Sequence, residues 1–247
     1  MVLMHTAGCP ATPVQADIMI TDAVDWGKII RCLEDMAPSW EPGTRVLYAP
    51  YTFGYIIGEV VRRITGKTIG TVFQEEIAGP LDLNLWIGLP ADKEDKVVPT
   101  MSKEPLKHPA DDPRIQVDSL PPLDLSDPPA AAYLSSFSNS DTPQFMNSRE
   151  AHAAEIPASS GIGDARSLAK FYAHLIGEVD GRPALFTKHT LQAATTTLTD
   201  GIPPAGVFGE RHAEGYFRFA RGYEKKNLLG QPMLGESSFG HVGYGAG

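Results

Sequence analysis

WEPGTRVLYAPYTFGYIIGEVVRRITG, residues 40–66, joins a turn, an extended approach, a tyrosine and a helix. Pro42-Gly43 is a turn pair, and residues 44–48 are rich in the β-branched and aromatic side chains of extended chain. The apolar period then changes from two to 3.6. Phe53, Ile56, Ile57, Val60, Val61 and Ile64 recur at i, i+3, i+4, i+7, i+8 and i+11. That spacing predicts one buried helical face, with Glu59, Arg62 and Arg63 on the other. Gly66 supplies the stop. Tyr48 therefore sits where the chain enters the helix, and a phenol there can reach a neighbouring hydroxyl.

Outward from this stretch, residues 21–37 (TDAVDWGKIIRCLEDMA) read as one helix capped by Thr21 or Asp22 and ended by Pro38. Its apolar residues are Val24, Ile29, Ile30, Leu33 and Met36. Residues 68–78 predict a second short helix, Gly79-Pro80-Leu81 a turn and residues 85–89 a short strand. Residues 99–143 hold nine prolines with many Asp and Ser. Proline at that density removes backbone donors, so a long irregular excursion is expected, a lid or a passive loop, with a helical island at 130–134. Residues 154–176 predict a glycine turn and a helix burying Leu168, Phe171, Tyr172, Leu175 and Ile176. A turn and another helix follow before Asp200, and residues 216–223 (YFRFARGY) read as a strand. The last residues are SFGHVGYGAG.

The 247 residues, 42% hydrophobic and 21% charged, suit a soluble globular protein of one domain. A formal charge of −9 argues against nucleic acid and anionic membrane as partners, since both call for a basic field. No apolar run approaches the roughly 18 residues of a membrane span. The first residues, MVLMHTAGCPATP, lack a basic start followed by an apolar run, so no secretory signal is read in them and the chain as given is expected in the cytoplasm. Cys9 and Cys32 form no CxxC pair; they read as two reduced thiols, with a disulfide between them left open.

The order of these pieces resembles the serine β-lactamase-related hydrolases: class C β-lactamases, penicillin-binding DD-peptidases and β-lactamase-fold esterases. VLMHTAGCP at residues 2–10 is similar to the family's LLSHTSGLP turn. Pro42-Gly43, Tyr48 and Gly54-x-x-Ile57-Gly58 follow its PG turn, tyrosine and helix, and Gly79-Pro80-Leu81 its PLG turn. His241-Val242-Gly243 matches the HxG form of its edge-strand triplet. Pro50 stands where many members have Asn, a departure that favours the esterase branch over a β-lactamase. The resemblance implies an α+β fold (α/β in broad use), β-lactamase/transpeptidase-like, of which residues 1–247 supply the helical domain and part of the antiparallel sheet. Exposed sheet edges would follow.

The resemblance also implies a chemistry. In the family a serine attacks an acyl carbonyl, the lysine of its SxxK motif and the tyrosine share proton transfer, and two backbone amides hold the oxyanion. Carried over residue by residue, Tyr48 is the proton-transfer group, His241 and Gly243 form the HxG edge, and the Tyr244 N–H is an oxyanion donor. The substrate is a small ester or amide, and no cofactor or metal is implied. A phenol, whose ordinary pKa is about 10, works as a base near neutrality only beside a cation. The serine and lysine of the family precede the HTSG-like turn, and no SxxK lies there in this sequence.

One literal SxxK exists, Ser167-Leu168-Ala169-Lys170, but it follows Tyr48, the reverse of the family order. At 100° per residue Lys170 lies about 200° from Leu168, which points it away from the apolar face and toward water. His5 reads as a turn histidine. His108, His152, His174, His189 and the pair His212/Glu214 show no metal-ligand spacing. Two expectations result: a β-lactamase-related, esterase-like serine hydrolase truncated at both ends and inactive as this chain, or a non-catalytic remnant keeping the pocket as a binding module. Oligomeric state is not legible.

Overall fold

Side-chain caps set most helix boundaries in the computed structural model, which describes residues 1–12, 18–100, 142–203, 205 and 238–241. The Asp25 carboxylate accepts the Lys28 N–H at 2.9 Å and starts helix α1 (Trp26–Asp35). The helix expected over 21–37 is thus two pieces, because a 3-10 turn (Ile20–Val24) precedes that cap. Asp22 takes the Met19 N–H at 2.9 Å instead of heading a longer helix. Two aspartates three positions apart each prefer a local backbone donor to a helix interior.

Helix α2 (Thr52–Thr65) ends at Gly66 as expected. Helix α3 (Ile69–Phe73), capped by Thr68, continues into a π turn over Gln74–Ala78. Strand β1 (Leu85–Ile87) pairs antiparallel with β2 (Gly161–Gly163), Trp86 opposite Ile162. Two short helices, α4 (Thr142–Met146) and α5 (Arg149–Ala153), come between them. Asp164 caps α6 (Ala165–Ile176), and Thr187 caps α7 (Lys188–Thr195). Helices with a small antiparallel sheet make the chain α+β.

The face of α2 is the main correction. Its buried residues are Thr52, Gly54, Tyr55, Gly58 and Glu59, while Val60 is 48% and Ile64 79% exposed. At Gly54 and Gly58 the neighbours approach too closely for any larger residue. A Cβ on Gly58 would meet the Trp26 indole at 2.6 Å, and one on Gly54 the Ala158 nitrogen at 2.8 Å. Glu59, assigned to the outer face by periodicity, is buried and accepts the Trp26 indole N–H at 3.0 Å. Arg62 and Arg63 are exposed and reach back to it.

Helix α6 is likewise rotated: Ser167, His174 and Leu175 are buried, whereas Leu168 and Ile176 are exposed. In both helices buried polar groups occupy part of the inward stripe, which an apolar period does not register.

Two apolar clusters form the interior. Ile29, Ile30, Tyr55 and Ile156 join α1 to α2, with Trp26, Leu33 and Phe145 against them. Ala78, Leu81 and Leu83 pack with Phe73, Leu85, Phe171 and Leu185. Charged ties connect distant segments: Glu155 accepts from Thr68 Oγ1 and the Gly70 N–H, and Glu94 joins Arg149 and His152. Cys9 and Cys32 are both free thiols. Among the described residues no helix is long and apolar enough to cross a membrane. Most of the 99–143 excursion, the helical island at 130–134 and the strand expected at 216–223 lie outside the described residues.

Candidate active site

The N-terminal turn and the segment before α2 are built as one unit. A 3-10 turn, Val2–Met4, ends at His5, whose φ of 57° is left-handed. Thr6 O accepts the Gly43 N–H at 2.8 Å and Gly8 O the Ser39 N–H at 2.8 Å, so residues 5–9 lie along the chain that carries the Pro42-Gly43 turn. Thr52 Oγ1 donates to Cys9 O at 2.5 Å and ties this turn to the start of α2.

Residues 46–49 run extended between two neighbours. On one edge the Val46 N–H donates to Pro203 O and the Ala205 N–H to Val46 O, both at 3.0 Å. On the other the Leu47 N–H donates to His5 O and the Ala49 N–H to His5 Nδ1, both at 3.1 Å. Alternation along extended chain explains why amides 47 and 49 share an edge. Val46 and Leu47 are buried, and Tyr48 is half-buried at the mouth of α2.

Two imidazole rings lie against Tyr48. The His5 imidazole meets it edge-on at 4.9 Å and 65°, and also faces Phe53 at 5.1 Å. The His241 ring, on an exposed residue, lies 5.6 Å from the Tyr48 ring at 34°. Tyr172 on α6 interacts with the His241 backbone; burial raises its phenol pKa and that backbone contact opposes the rise. The Tyr48 and His241 rings are thus neighbours. Gly243 and Tyr244 lie outside the described residues.

His5 is 5% exposed, and burial first, then the charge of His241, lowers its pKa to about 3. Accepting the Ala49 N–H at Nδ1 places the proton of the neutral ring on Nε2. A neutral ring cannot be the cation that would depress a neighbouring phenol. A shallow apolar hollow, with room for about one water, opens beside His5, lined by Val2, Ala7, Cys9, Leu47, Phe53 and Ile56 among others. Burial pushes the Cys9 thiol up, which suits packing better than nucleophilic chemistry. Among the described residues no three His, Cys, Asp or Glu side chains gather to hold a metal.

The Ser167-to-Lys170 string has structural duties. Ser167 Oγ is buried and accepts the Asn84 N–H at 2.9 Å, while its own N–H donates to the Asp164 cap at 2.7 Å. Lys170 does not reach into open water as its helical angle implied. Its side chain is 24% exposed and pairs with Asp180 at 3.1 Å. The turn after α6 brings that carboxylate back alongside the helix, a contact no helical projection contains.

Two neighbours of the site were not legible. His5 was readable as a turn residue, and nothing local links it to residues 47–49. Tyr172 read only as a packing residue of α6.

Comparison with known proteins bears on the family and the fold. All of residues 1–247 match the Beta-lactamase family model. The sequence is 28% identical over 214 residues to the esterase/beta-lactamase LipL of Mycobacterium tuberculosis, covering 80% of this chain and 43% of LipL. A penicillin-binding protein homolog from Caulobacter crescentus superposes with a TM-score of 0.71 at 28% identity, covering 98% of this chain and 58% of that one. A family VIII carboxylesterase gives a TM-score of 0.72 at 26% identity, with 98% and 58% coverage. The chain therefore spans about half the length of these relatives.

Proposed function

The chain belongs to the Beta-lactamase family, and from that premise we propose that it carries the tyrosine and HxG side of an esterase-like acyl-transfer site. The observation that supports this is the contact between Tyr48 and His241, two residues far apart in sequence whose rings stand 5.6 Å apart. In this reading the Tyr48 phenol moves the proton to or from an attacking serine hydroxyl. His241 and Gly243 form the substrate-facing edge, and the Tyr244 N–H donates to the oxyanion that develops on the acyl carbonyl. The substrate is a small ester or amide, in keeping with an esterase/beta-lactamase and a carboxylesterase among the similar proteins.

The serine is not Ser167, whose hydroxyl is buried against Asn84 and whose lysine is paired with Asp180. No other Ser-x-x-Lys occurs in these 247 residues. The polypeptide by itself therefore forms no acyl-enzyme. Incubation with a fluorophosphonate and with a penicillin probe, read by intact-protein mass, is expected to give no adduct. A stoichiometric adduct overturns the assignment, and peptide mapping then identifies the nucleophile.

A further inference from the structure

We propose that His5 is the positioning residue for Tyr48, clamping the peptide units on both sides of it; the functional weight of this clamp rests on the role given to Tyr48 above. His5 O accepts the amide of the residue before Tyr48, and His5 Nδ1 accepts the amide of the residue after it, each at 3.1 Å. The same ring lies edge-on against the Tyr48 ring and against Phe53. Backbone, phenol and the first turn of α2 are thereby referred to one residue, through its carbonyl at Leu47 and its ring at Ala49, Tyr48 and Phe53. The opposite edge of the segment is held at Val46 by Pro203 and Ala205, so the His5 contacts complete the frame.

Two features restrict the clamp to a residue that tolerates a left-handed backbone and carries an acceptor at the δ position. His5 holds φ at 57°, where a bulky side chain is uncommon and Asn is among the few tolerated alternatives. The Ala49 amide is buried, so losing the Nδ1 acceptor would strand a donor without water. The ring accepts only while neutral. Among the described residues the titratable side chains near it are Tyr48, His241 and Cys9, and burial with the His241 charge keeps it neutral well below pH 6.5.

The test compares His5→Asn, which keeps an acceptor at the δ position and tolerates the left-handed backbone, with His5→Leu, which keeps apolar bulk and loses the acceptor. Amide exchange is read at Ala49, with tyrosine ¹³Cζ resonances assigned through Tyr48→Phe. In His5→Leu the Ala49 amide is expected to exchange about tenfold faster, the worth of one hydrogen bond, and the Tyr48 resonance to shift. The Tyr55 resonance, from a phenol bonded to Ala23 O in the α1/α2 core, is expected to stay. His5→Asn is expected to restore wild-type exchange and the Tyr48 resonance.

Unchanged Ala49 exchange and an unchanged Tyr48 resonance in folded His5→Leu overturn the proposal. If His5→Leu loses the fold, as a moved Tyr55 resonance would report, His5→Asn decides alone: a displaced Tyr48 there overturns it, a native one upholds it. None of these readouts needs acyl chemistry, so failure of the clamp and failure of the hydrolase reading are separable.

Discussion

The Tyr48 and His241 rings face each other at 5.6 Å, and His5 stands on another side of the same phenol at 4.9 Å. The His241 charge is the second cause of the low His5 pKa after burial, so the two imidazoles are electrostatically coupled. His241→Ala is expected to raise the His5 pKa while leaving it well below 6.5, since burial remains. Titration of the ¹⁵N ring signals checks this, and a His5 that recovers 6.5 would show that burial is not the dominant cause.

His5 also makes stability depend on pH. Its folded pKa of about 3 lies below the ordinary 6.5, so the unfolded chain takes up the proton first. Stability is complete above 6.5, falls as pH drops toward 3, and levels once the folded state is protonated too. At about 1.4 kcal/mol per unit the full span amounts to several kcal/mol. Urea denaturation at pH 6.5 and 5.0 is expected to show the start of this loss in the wild type and a flatter response in His5→Asn. That window lies above the Glu59 transition, which begins near 4.5.

Glu59 fastens α2 to α1. Its carboxylate takes the Trp26 indole N–H at 3.0 Å and both arginines at 2.7 Å, and Arg62 foremost holds its pKa at about 2. Glu59→Ala strands a buried donor and removes the charge the arginines face, an expected loss of about 2–4 kcal/mol. Glu59→Gln keeps an acceptor for Trp26 and is expected to lose less. Its remaining stability should fall less steeply below pH 4.5, because a carboxylate with a depressed pKa stabilises only while ionised. Denaturant midpoints for both variants across pH 3 to 7 check the order.

Gly54 should resist the usual helix improvement. In an open helix Gly→Ala gains about 1 kcal/mol, yet here a Cβ would meet the Ala158 nitrogen at 2.8 Å and Cβ at 2.9 Å. Backbone cannot yield as a flexible side chain does, so Gly54→Ala is expected to destabilise by about 1–3 kcal/mol. A raised melting temperature would show that the 156–160 segment moves easily.

His174 is fully buried on α6 and, among the described residues, neither ring nitrogen has a hydrogen-bond partner. An apolar side chain of similar volume relieves two unpaired polar atoms. His174→Leu is expected to hold or raise the melting temperature, whereas truncating its buried neighbour in Leu175→Ala should cost about 2–5 kcal/mol. A sharp loss in His174→Leu would reveal a partner for the ring.

Short-range signals carried the order of elements. Caps, Gly66, the Pro42-Gly43 turn and the spacing of HTAG, tyrosine and HVG were enough to infer the family and to propose Tyr48 and His241 together. The inward faces were legible only in part. Apolar periodicity turned Ile56, Phe171 and Leu175 inward, as they are, but missed Glu59 and Ser167, because a buried polar side chain is specified by its partner rather than by its own hydrophobicity. Glu59 meets Trp26 33 positions away, and Ser167 meets Asn84 across 83.

The amino-acid sequence by itself determined the family, the α+β class and the candidate tyrosine and histidine, since these reside in local motifs and their order. Only the tertiary structure decided that His5 grips both amides beside Tyr48, that His241 comes to the same phenol, and that Ser167 and Lys170 are engaged in packing. Those are contacts between segments distant along the chain, and a hydrogen bond depends on where two groups arrive in space, which local pattern does not encode.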